Sequence, residues 1–122
     1  MKGNSVKYII SREQVLEINN KFRSLGLSFK LSGTKFLNKT VQIIISSGNE
    51  FYVLEDVLDE IIKLYPNFNK IQIRMAMKYA LDHRDENLSI KNFEKIFGFE
   101  YNKEMFFTRN FIDEFVNIMS NY

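Results

Sequence analysis

The chain has 122 residues, a formal net charge of +2, one proline, one histidine and no cysteine. That length suits one domain spanning residues 1–122, and 45% apolar content with twelve Phe and six Tyr supplies a single core. The missing cysteine excludes disulfides, thiolate catalysis, zinc ribbons and iron–sulfur clusters, and a lone His83 excludes histidine-rich metal sites.

Apolar runs such as Tyr8-Ile9-Ile10 and Ile43-Ile44-Ile45 fall far below the ~20 residues that span a bilayer. They are also too short for a signal-peptide core. Composition therefore predicts a cytoplasmic globular protein with no membrane segment and no cofactor.

In chain order, helical signals dominate. Ser11 and Gln14 have the spacing of a capping box, Val15, Ile18, Phe22 and Leu25 follow at helical spacing, and Gly26 sits where a terminating glycine belongs. Ser32-Gly33 reads as a break before a helix carrying Leu37, Val41, Ile44 and Ile45, although the β-branched run from Val41 to Ile45 also suits a strand. Ser46 to Asn49 is the next turn. From Val53 to Tyr65, an apolar stripe of Val53, Leu54, Val57, Leu58, Ile61, Ile62 and Tyr65 lies opposite Glu55, Asp56, Asp59, Glu60 and Lys63, and Pro66 ends that helix. After a four-residue turn, Asn69 and Gln72 repeat the capping pattern, opening a helix that buries Ile73, Ala76, Met77, Ala80 and Leu81. Ser89 is the expected cap of a helix ending at Phe97-Gly98, and Thr108 or Asn110 that of a last helix reaching Met119. Residues 99–107 read as irregular and aromatic. The sum is an all-α fold of about six helices, with a helix-turn-helix at about residues 53–82.

The modest total charge conceals a segregation. Residues 1–50 carry eight Lys/Arg against three Glu, and residues 51–122 carry nine against twelve acids. Within the acidic half, Lys63, Lys70, Arg74, Lys78 and Arg84 face a single acid, Asp82, making the helix after Pro66 a basic island. Helical geometry turns Ile71, Met75, Lys78, Tyr79 and Asp82 outward, with Gln72 and Arg74 on the flanks and Asn69 and Lys70 at the start. Cations for phosphates, Gln and Arg for base edges, and Tyr for sugar or phosphate make a plausible DNA-reading set.

The order of several further blocks resembles the C-terminal effector domain of the master sporulation response regulator of endospore-forming bacteria, the stage zero sporulation protein A family. Lys30 to Leu37 is similar to the start of that family's second helix, Ala76 to Asp82 to its recognition helix, Phe97-Gly98-Phe99 to a Phe-Gly-Tyr corner, and Phe111-Ile112 to its last helix. The resemblance spans Leu27 to Met119 and implies a six-helical fold whose helix-turn-helix reads double-stranded DNA as tandem protomers. It also implies that residues following the recognition helix contact an RNA polymerase sigma factor, which here would be His83, Arg84, Asp85, Glu86, Lys91 and Lys95. The chain departs from the family at Arg74, Met75 and Tyr79, where the family has an acid, an Arg and a His, so a different target box is expected. The family's phosphoacceptor receiver domain does not fit in this length, and Met1-Lys2-Gly3-Asn4-Ser5 reads as a natural start.

The expected function is thus sequence-specific DNA binding in transcription regulation, with Asn69, Lys70, Gln72, Arg74, Met75, Lys78 and Tyr79 as contacts. The alternative is a protein-interaction module that modulates a full-length response regulator or RNA polymerase without reading DNA. Outward Ile71 and Met75, acidic Glu55, Asp56, Asp59 and Glu60, and the aromatic pair Phe106 and Phe107 motivate that alternative. No enzyme is expected, because the one titratable run containing the histidine, Asp82 to Glu86, reads as a solvated helix-terminal turn.

Overall fold

The computed structural model describes residues 10–48 and 52–120, in which six α-helices follow one another and no strand is present among the described residues. They are α1 (Arg12–Ser24), α2 (Ser32–Ser46), α3 (Leu54–Leu64), α4 (Lys70–Asp82), α5 (Glu86–Phe97) and α6 (Thr108–Ser120), with a 3-10 turn at Lys103–Phe106. The all-α expectation holds, and the Val41–Ile45 run is helix. Tyr8, Ile9, Asn49 and Glu50, which entered the sequence reading, lie outside the described residues.

Both capping boxes form. Ser11 Oγ accepts from the Gln14 amide at 3.0 Å while Gln14 Oε1 accepts from the Ser11 amide at 2.9 Å. Asn69 and Gln72 repeat this at 2.8 and 2.9 Å, so each helix start satisfies two otherwise unpaired amides. α1 ends in a Schellman motif: Gly26 adopts φ +90°, its amide donates to Arg23 O, and the Leu27 amide donates to Phe22 O. Gly26 also lies against the Asp85 backbone so closely that a Cβ there would meet Asp85 O.

Three starts differ from expectation; at the last of them Thr108 and Asn110 lie inside α6, whose first carbonyl acceptor is Phe107 O, so neither is its cap. Asp85, not Ser89, caps α5, accepting from the Asn87 and Leu88 amides at 3.1 and 3.3 Å. Ser89 is fully buried within the helix and donates to Leu25 O at 2.5 Å, a partner that local pattern cannot reveal. Likewise Ser32-Gly33 is no break, because both residues belong to α2. Gly33 is there for proximity: a Cβ would collide with the Ala76 carbonyl of α4.

α2 is the central helix, packed against α1, α3, α4 and α6. Its buried residues include Phe36, Leu37, Val41 and Ile44, with Thr40 returning its hydroxyl to Phe36 O at 2.7 Å. Each fully buried Leu, Ile or Phe contributes about 1.5–3 kcal/mol relative to exposure. Phe22 of α1 meets Phe111 and Phe115 of α6 edge-on at 5.5 and 4.8 Å. Phe36 receives Tyr65 and Phe68 edge-on, each at 5.1 Å, which fastens the connection between α3 and α4 to the core. That connection runs from Tyr65 to Asn69, one residue longer than expected, because the helix stops at Leu64, two residues before Pro66.

Candidate nucleic-acid interface

α4 buries Ile73, Met77, Ala80 and Leu81 against the core and leaves its opposite face open along its length. Ile71 is 68% exposed, Met75 66% and Tyr79 51%, a stripe at successive i, i+4 positions. Gln72, Arg74, Lys78 and the cap Asn69 are exposed as well. All seven residues expected to touch DNA therefore lie on or at the start of one helix; six are exposed and Lys70 is half-buried. His83 extends the stripe: its ring stacks on Tyr79 at 3.7 Å between centroids, and its Nδ1 lies 2.9 Å from Tyr79 O.

The electrostatics are less one-sided than the sequence implies. Lys70 Nζ is held by Glu55 at 3.1 Å and Asp59 at 2.9 Å, both on α3, and Arg74 is bound to Glu55. Lys78 Nζ pairs with Asp82 at 2.8 Å. Each expected cation of α4 thus has a carboxylate beside it. These are surface or half-exposed pairs, worth about 0–1 kcal/mol each, which a phosphate can displace. The acids Glu55 and Asp59 were assigned to a separate acidic face by the sequence; the structure makes them partners of α4.

The basic N-terminal half brings two further exposed cations to α2 and the turn before it. Lys30 and Lys35 are exposed, form no ion pair among the described residues, and lie within three residues of Gly33, where α2 abuts α4. The excess of bases in residues 1–50 was the available signal for them.

The residues expected at a polymerase contact separate. His83, Asp85, Glu86, Lys91 and Lys95 are exposed. Lys95 borders a groove of about 470 Å³ between α1 and α5, with Leu16, Glu17 and Ile96 along it. Arg84 points inward instead, its side chain only 10% exposed. It donates to Ser89 Oγ, Leu81 O and Tyr101 Oη, each at 2.9 Å, and its guanidinium lies 3.7 Å from the Phe106 ring centre. Arg84 is consequently a strut between α4, α5 and the 3-10 turn, and the charged run it belongs to is not uniformly solvated. Phe106, expected as an aromatic contact, is buried at 3%, whereas Phe107 is 61% exposed.

Among the described residues no group of three or more His, Cys, Asp or Glu could hold a metal ion, and no helix is long and apolar enough to cross a membrane. No family model, curated protein or solved structure matches this chain.

Proposed function

We propose that this protein is a sequence-specific double-stranded DNA-binding regulator of transcription in which α3 and α4 act as a helix-turn-helix and α4 enters the major groove. The observation that carries the reading is the outer face of α4: exposed from Ile71 to Tyr79, rimmed by Lys70, Arg74 and Lys78, and held by an inner stripe locked onto α2. A recognition helix needs a rigid inner face and a free outer one with its first turns foremost. Cations at its edges set register on the phosphates, while the stripe between them faces the bases. Following what the sequence resemblance implies, the proposal extends to tandem protomers on adjacent boxes and to a sigma factor met by the exposed residues between His83 and Lys95.

The test is selection from a random duplex library at two salt concentrations, followed by affinity measurement on the enriched box. Lys78→Ala and Arg74→Ala should each weaken binding and flatten its dependence on salt by about one phosphate's worth of counterion release. Failure to enrich any sequence at low salt refutes the proposal.

A second reading, a protein-interaction module, is favoured by one observation: the apolar stripe of Ile71, Met75 and Tyr79 lies between cations already matched by Glu55, Asp59 and Asp82. Contiguous exposed apolar surface marks interaction sites of many kinds. Binding of a purified sigma factor or full-length response regulator, abolished by Met75→Glu in a chain that enriches no DNA, would establish it.

A further inference from the structure

We infer that α4 selects its DNA box through the C5-methyl groups of thymine, read by Ile71 and Met75. The inference rests on the DNA-binding reading and specifies what that face recognises.

The first two turns of a recognition helix supply the side chains that reach base edges. In α4 those turns carry Ile71, Gln72, Arg74 and Met75 on the exposed side. The polar candidates among them are committed elsewhere. Gln72 Oε1 accepts from the Asn69 amide to close the capping box, at 2.9 Å. A bidentate grip on adenine needs the amide to accept from N6 and donate to N7 together. While it caps α4, Gln72 has one lone pair of its oxygen taken and its amide turned toward the helix start, which opposes that bidentate geometry. Arg74 is drawn back toward α3 by Glu55, and half of its side chain is already covered. Its fork is therefore aimed across the helix pair, as suits a phosphate contact.

What remains foremost is apolar. Ile71 and Met75 stand one turn apart and are the two most exposed large hydrophobic side chains among the described residues. The major groove offers one apolar feature to such side chains, the thymine methyl group, which cytosine lacks. Met adapts to an irregular surface and Ile offers a stiff, branched one, so the pair suits two methyls at slightly different heights. Lys70, Arg74 and Lys78 rim the stripe, each beside a carboxylate that a phosphate can displace, so the groove walls on either side of a base step would meet cations. Tyr79, further along and stacked on His83, is placed for sugar or phosphate at the groove edge.

The experiment takes the enriched duplex and replaces each thymine singly by deoxyuridine, which removes only the methyl group. Affinity is read by fluorescence anisotropy with the whole chain. Loss of one buried methyl should weaken binding about 3- to 5-fold, and only at one or two positions of the box. In Ile71→Ala and Met75→Ala proteins, whose fold is checked by circular dichroism, the thymine–deoxyuridine difference should vanish at the position each side chain reads. A specific box in which no thymine is sensitive, or a difference that survives in both variants, overturns the inference and leaves DNA recognition standing. If no duplex is enriched, and Ile71→Ala and Met75→Ala instead abolish binding to a purified protein partner, the DNA reading fails and this inference fails with it.

Discussion

Replacing Gly33 by Ala puts two well-calibrated effects in opposition. Gly33 lies within α2, where Ala is preferred by about 0.8–1 kcal/mol on helix propensity alone. Against that, the new methyl would fall on the carbonyl of Ala76 and close to the Met77 amide. These are backbone atoms of a packed helix and cannot rotate aside, so α2 and α4 must separate. Overpacking of this kind costs about 1–3 kcal/mol, and a gap of 0.5–1 Å forfeits a quarter to a half of the dispersion at each lost contact. Met77, whose amide lies at that crossing, is fully buried, so the separation would open packed core. The overpacking term should win, with a net loss of about 1–2 kcal/mol, seen in thermal denaturation as a fall of roughly 4–8 °C. DNA affinity should fall as well, because the crossing sets the tilt of α4. A Gly33→Ala protein melting at or above the parent temperature would show that propensity governs and that the helices are not in close approach.

Arg84→Met keeps the aliphatic stem but leaves Leu81 O, Ser89 Oγ and Tyr101 Oη without their shared donor, so urea denaturation should report a loss of about 2–4 kcal/mol. Glu55→Gln removes the carboxylate shared by Lys70 and Arg74, and should tighten DNA binding several-fold at low salt while steepening its salt dependence; isothermal titration at three salt concentrations measures both. Partial burial, and then the adjacent Glu114, push the Asp113 carboxyl above its ordinary value. A carboxyl raised on folding adds stability while protonated and loses it as pH climbs through the raised value, so Asp113→Asn should melt above the parent at neutral pH, with the gap closing toward about pH 3.

Local chemistry made much of the fold legible. Capping boxes at Ser11 and Asn69 and the terminating Gly26 are decided within four residues and appear where the sequence puts them, while the halt before Pro66 comes one residue early and Ala76, on the inner stripe of α4, is only half-buried. What escaped depended on distant partners. Ser89 looks like a cap because its hydroxyl could serve one, yet it answers a carbonyl on α1. Gly33 looks like a break because glycine usually weakens helices, whereas here it permits a crossing. Arg84 looks solvated amid charged neighbours, but the Phe106 ring and Tyr101 arrive from beyond α5 to cover it. For the candidate interface, the exposed side of α4 followed from period alone. The pairing of Lys70 and Arg74 with Glu55 did not, because it depends on how two helices lie together.

The end of α1 carries a consequence for the order in which the chain can mature. Its last carbonyls find their partners far ahead in sequence: Ser24 O is met by Asn92 Nδ2, Leu25 O by Ser89 Oγ, and Gly26 O by the Asp85 amide. Two of these bonds close loops of 64 and 68 residues, whose closure entropy must be met before the contacts contribute. During synthesis, α1 therefore leaves the ribosome with an unfinished C-terminus and stays so until α5 follows it. Of the described helices, α1 comes first in the chain and is among the last to be completed, because its end waits on α5.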